Sequence, residues 1–165
     1  MKRRAFTLIE TMMAVLLLAL LAAGVAIGFS KPLQAARADD AVSVLKAFDA
    51  AARQAAVGFD RQVRITIDLA DGRLTRLEGG AVAASTQLPS GYRIERTKVG
   101  GRIDSVGLVS IDVSPQGRSR TYAVRLLGPG LDRWIIFAGL TGLATEATHE
   151  TDLPVARRSA RHHAD

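Results

Sequence analysis

Hydrophobic and polar positions fall into three successive patterns along the chain. From Thr11 to Ser30, twenty consecutive residues carry no charge, enough for a helix to cross about 30 Å of hydrocarbon. Next, Ala41, Leu45, Phe48, Ala52, Ala55 and Phe59 step by four and three, while Arg37, Asp39, Asp40, Lys46, Asp49 and Arg53 take other positions. That spacing makes one apolar helical face and predicts a surface helix laid on a domain, with Gly58 as its stop signal. Together the two stretches predict one long helix over 6–57, with a transmembrane part at about 11–30. Gly24 and Gly28 lower helix propensity and Pro32 removes a backbone donor, so a kink or local melting is expected around 24–32.

After Gly58 the period drops to two. Val63, Ile65, Ile67 and Leu69 alternate with Gln62, Arg64, Thr66 and Asp68, which predicts a half-buried strand. Asp71-Gly72 then signals a hairpin into Leu74–Leu77. Further strands are predicted near Tyr92–Val99, Val106–Val113, Arg120–Leu127 and Arg133–Ala138, separated by turns at 114–117 and 128–130. Gly79 to Gly91 and Gly100-Gly101 read as loops. The tail, 148–165, is polar and aperiodic, and disorder is its default. The fold class is α+β: a long, partly transmembrane N-terminal helix packed on an antiparallel β-sheet domain spanning 58–147.

Charge adds orientation. Lys2, Arg3 and Arg4 precede the apolar run, and the positive-inside bias leaves the N-terminus cytoplasmic and the rest of the chain outside the cytoplasm. Without those three residues 19 basic residues remain against 16 acidic, too small an excess to imply nucleic acid by itself. Glu10 stands at the edge of the span, where a carboxylate is costly and marks a partner or a pathway. An acidic residue between basic leader and apolar core is also atypical of a secretory signal peptide. Gly24 and Gly28 form a Gly-xxx-Gly pattern that permits close helix packing in membranes.

A basic leader, then Phe6-Thr7-Leu8-Ile9-Glu10, then a long apolar segment resembles the processing signal of type IV prepilin-like proteins. The resemblance implies a leader of residues 1–5, cleavage between Ala5 and Phe6 by a prepilin peptidase, N-methylation of Phe6, and a Glu10 carboxylate that meets a neighbouring subunit's N-terminus. The family usually has Gly before the cut, so Ala5 is a departure, though a small one. Val109 to Leu143, with Pro115, Gly117, Trp134 and Thr141-Gly142, and Leu45 to Gly72, with Ala52-Arg53, are similar to general secretion pathway protein H and its minor-pilin relatives. A minor pseudopilin of a type II secretion system is implied. Its partners would be other pseudopilins of the tip and main pseudopilus, the prepilin peptidase/methyltransferase, the inner membrane and secreted cargo.

Catalysis finds little support, and the chain is read as not an enzyme and as needing no cofactor. His149, His162 and His163 sit in or beside the tail, where no rigid scaffold would hold a base against a nucleophile. No metal site is expected. Gly117-Arg118-Ser119-Arg120, with Arg125, Arg133 and Arg102, supports a rival: guanidinium groups presented to phosphates, as in minor pilins that bind DNA during uptake. In those relatives the Gly-Arg-x-Arg element follows the last strand, where this chain has Gly142-Leu143-Ala144-Thr145. The chain also has no cysteine, whereas type IV minor pilins often carry a C-terminal disulfide. Both points favour secretion, and nucleic acid is the lesser reading.

Overall fold

The computed structural model describes residues 8–152. They divide into two units, one ending at Ala36 and one beginning at Arg37. Helix α1 runs from Leu8 to Gly58. It continues through Pro32 without a break, so of the kink or local melting expected around 24–32 the melting does not occur.

The helix ends in a Schellman motif two residues beyond the predicted stop. Arg61 N donates to Ala56 O at 3.1 Å and Asp60 N to Val57 O at 3.3 Å. The left-handed residue is Asp60, φ 47°. An aspartate tolerates that conformation better than most residues, and Gly58 is simply the last helical residue.

Nine strands follow among the described residues. The first sheet holds β1 (Val63–Asp68), β2 (Arg73–Glu78), β3 (Ala81–Gln87) and β6 (Leu108–Val113), in the order β3-β2-β1-β6. The second holds β4 (Arg93–Val99), β5 (Arg102–Asp104), β7 (Tyr122–Gly128), β8 (Leu131–Phe137) and β9 (Ala144–Ala147), in the order β5-β4-β7-β8-β9. All pairings are antiparallel. The β1–β2 hairpin is the one the period-two pattern predicted, with Val63 opposite Glu78 and Asp68 opposite Arg73. The strands predicted near 92–99, 106–113, 120–127 and 133–138 correspond to β4, β6, β7 and β8.

Two expectations need correction. The chain builds two sheets rather than one, and the stretch read as a loop from Gly79 to Gly91 contains β3. Its sequence, Ala-Val-Ala-Ala-Ser-Thr-Gln, lacks apolar/polar alternation; pairing with β2 makes it a strand.

The core collects one face from each layer. Ala38, Ala41, Val42, Leu45, Ala52, Ala55 and Ala56 of α1 are buried with Val63, Ile65 and Ile67 of β1, Val109, Ile111 and Val113 of β6, and Val124, Leu126, Ile135 and Phe137 of the second sheet. Alanines on the packed helical face let the helix approach the strands closely. The Val and Ile side chains supply most of the burial energy, on the order of 1.5–3 kcal/mol each. Opposite the main core, Ala123 and Trp134 form a small second cluster with Ile136 and Ala147.

Candidate functional site: the N-terminal motif and the clamp on the helix

Ala5 and Phe6, the residues expected at the cleavage and methylation site, lie outside the described residues. Glu10 stands in the first turn of α1 and is exposed. Around it Leu8, Ile9, Met12, Met13, Val15, Leu16, Leu17, Leu18, Leu20 and Leu21 are each more than half exposed. A helix apolar on every side is stable only when its whole circumference is covered by something equally apolar. Among the described residues no helix is long and apolar enough to cross a membrane, and the predicted span at about 11–30 extends into 22–31, whose side chains lie outside them. Gly24 and Gly28 are helical in backbone, and their packing lies outside the description too.

The second feature is a buried polar network that sequence reasoning placed on the solvated face. Asp49 and Arg53 are only 2% and 8% exposed. They are one helical turn apart, so both point from α1 in the same direction. Arg53 Nε donates to Asp49 Oδ2 at 2.7 Å, and the Tyr122 hydroxyl donates to Asp49 Oδ1, also at 2.7 Å. The rest of the guanidinium reaches two connecting segments. Nη1 donates to Gly117 O at 2.8 Å and Gly139 O at 3.1 Å, and Nη2 donates to Ser119 Oγ at 3.0 Å. Every Arg53 nitrogen is therefore used, as a buried charge requires.

Glycines make room for this clamp. A Cβ on Gly139 would lie 2.2 Å from Ser119 O, which is backbone and cannot swing away. Gly142 has φ +69°, and a Cβ there would sit 2.9 Å from Arg53 Cδ. Tyr122 stacks on Phe137 at 4.7 Å between centroids. Burial, reinforced by the Asp49 carboxylate, pushes its hydroxyl well above the usual tyrosine range. The signal that could have exposed the clamp was the ladder 38, 42, 45, 49, 52, 56, which is helical if Asp49 is allowed inside. Phe59, assigned to the buried face, is 62% exposed instead.

The arginines weighed for nucleic acid do not form one patch. Arg125 pairs with Asp132 at 3.0 Å and Glu95 at 2.9 Å, Arg133 with Glu146 at 2.9 Å, and Arg102 with Asp104 at 2.9 Å. Lys46 reaches Glu146 from the helix at 2.7 Å, and these two cations hold the Glu146 carboxyl below its ordinary range. Ser119 turns inward to the clamp, so Arg118 and Arg120 on either side of it face outward and are exposed. His149 is exposed. Glu150–Asp152 forms a short 3-10 turn, and the rest of the predicted tail, with His162 and His163, lies outside the described residues.

Residues 1–26 match the family described as the prokaryotic N-terminal methylation motif. Two structures of the minor pseudopilin EpsH from the type II secretion system of Vibrio cholerae match the fold. One gives a TM-score of 0.52 and the other 0.51, each at 11% identity over 67% of this chain and 94% and 95% of their own. The motif is one of N-terminal methylation, and the fold is that of a minor pseudopilin. The type IV minor pilin FimU of Pseudomonas aeruginosa aligns at 19% identity over 67% of this chain and 87% of its own, with a TM-score of 0.46. No curated protein matches the sequence. In this fold the clamp fixes the C-terminal part of α1 to the two sheets, and the apolar N-terminal part carries the motif.

Proposed function

We propose that the protein is a minor pseudopilin of a type II secretion system. On this reading it is held in the bacterial inner membrane by the N-terminal part of α1, with the N-terminus cytoplasmic and the sheet domain periplasmic. One observation carries the proposal: a methylation motif over residues 1–26 on a chain whose fold is that of a V. cholerae minor pseudopilin. The action is mechanical. The leader 1–5 is removed before Phe6, the new amine is methylated, and Glu10 meets the amine of a neighbouring subunit inside an apolar bundle. The exposed apolar surface at 8–21 is covered first by lipid and then by other pseudopilins. Cargo and tip partners meet the sheet domain.

A minor type IV pilin acting in pilus biogenesis or DNA uptake is the second reading, favoured by the outward-facing Arg118 and Arg120. A deletion strain scored side by side for protein secretion, surface pili and DNA uptake separates the two. Loss of secretion alone selects the pseudopilin, whereas loss of pili or uptake with secretion intact selects the alternative. Mass spectrometry of the mature protein tests processing: N-methyl-Phe6 is expected, and an intact leader would remove the prepilin claim.

A further inference from the structure

The two sheets part between β5 and β6, leaving a groove there of about 400 Å³. Strand β6 ends its sheet, pairing with β1 and, among the described residues, with no second strand. Its main chain can be oriented from one bond: Leu69 N donates to Gly107 O at 3.1 Å. Leu69 and Gly107 continue the β1–β6 register, in which Ile67 faces Val109 and Ile65 faces Ile111. In an antiparallel ladder, hydrogen-bonded pairs alternate with unbonded ones. Val109, Ile111 and Val113 therefore bond to β1, while the N–H and C=O groups of Leu108, Ser110 and Asp112 point away from it, along the free edge.

The groove's lining adds chemistry to that edge. Val106 and Leu108 are 82% and 69% exposed, and both line it together with Ser110, Arg102, Asp104 and Arg120. Asp104 is engaged by Arg102 at 2.9 Å. Arg120 has no carboxylate partner among the described residues, which leaves the groove one net positive charge.

We propose that β6 is a docking edge that accepts an extended, acidic segment of a partner protein as an added strand. Main-chain bonds to Leu108, Ser110 and Asp112 would seat it, Val106 and Leu108 would take an apolar side chain, and Arg120 would meet a carboxylate. Charge selects the occupant. The chain's own C-terminal tail carries Arg157, Arg158 and Arg161, and Arg120 would repel it. The opposite edge of the same sheet, β3, offers no cation of its own to guide a partner. The proposal goes beyond the secretion assignment, because it is read on the purified protein whether or not a pseudopilus forms.

The test uses the full-length protein in detergent micelles. The probes are a capped peptide of alternating valine and glutamate, its valine/lysine counterpart, and a short DNA duplex. The glutamate peptide should bind and slow amide exchange at Leu108, Ser110 and Asp112, and Arg120→Glu, an exposed change that leaves the core intact, should weaken it about tenfold. Equal binding of the lysine peptide, or binding without slowed exchange at those three amides, would overturn the proposal. So would slowed exchange that grows with protein concentration alone, which would make the occupant a second copy, or displacement of the glutamate peptide by the duplex.

Discussion

Two stretches of the same helix, 8–21 and 38–56, are both rich in apolar residues and meet opposite fates. The first is exposed all round. The second buries an alanine-rich face and, within that face, an Asp49–Arg53 pair with all its hydrogen bonds made. Apolar coverage is non-directional, so on the proposed reading the first stretch can exchange lipid for neighbouring subunits at little cost. A buried ion pair is directional. It contributes little net stability but penalises any other helix position heavily, so the second stretch is held in one register on the sheets.

The sharpest way to break this contrast is at Glu10, the charged group of the first stretch. Replacing it with Ala should leave membrane insertion intact, since a carboxylate near the span is a liability to a simple anchor. In a filament the same change leaves a neighbour's amine unpaired in low dielectric, at a cost of about 3–5 kcal/mol. If the protein acts as proposed, secretion and co-purification with pseudopilins should fall to background at normal membrane levels by immunoblot. Normal secretion by fully processed Glu10→Ala protein would remove the assigned role.

At the clamp, Arg53→Ala leaves Asp49 buried with only the Tyr122 hydroxyl and should cost about 3–5 kcal/mol in chemical denaturation. Gly139→Ala should also destabilise strongly, because its Cβ would meet backbone at 2.2 Å. Replacing Asp49 and Arg53 together with a well-fitting apolar pair should restore much of the loss. If Arg53→Ala alone proves neutral, the clamp does not hold the helix.

A gentler probe is Tyr122→Phe, which removes one hydrogen bond to a carboxylate and should cost about 1.5–3 kcal/mol near neutral pH. The folded hydroxyl holds its proton more tightly than the unfolded one. Its contribution is therefore complete below the unfolded value of about 10 and is lost as pH rises above it. The stability gap between wild type and Tyr122→Phe should narrow above about pH 10. A gap that does not change with pH would place the effect in ring packing rather than in the hydroxyl.

The smallest effect belongs to Glu146, a partly exposed carboxylate between Lys46 and Arg133. Its depressed pKa means its contribution is present above the ordinary carboxylate value and is lost as pH falls below about 4.5. Glu146→Gln should cost no more than about 1 kcal/mol at neutral pH, and less in high salt. A larger loss would show that this surface bridge, and not only the clamp, seats the helix.

Local pattern alone determined much of this protein. The basic residues 2–4, Glu10 and the apolar run are contiguous, so their chemistry needs no folding to be read. The helix beyond residue 37 and the strands β1 and β6 announce themselves because each buries one face and so carries its period in the sequence, and β2, β4, β7 and β8 because turn residues bracket them. Tertiary structure decided the rest. Strand β3 exists because β2 pairs with it, since small residues carry no face preference, and the division into two sheets depends on which edges meet. Asp49 and Arg53 look solvated from sequence because charge is costly to bury. Only the folded chain supplies Tyr122, Ser119 and the carbonyls of Gly117 and Gly139, sixty to ninety residues further on, whose hydrogen bonds offset that cost.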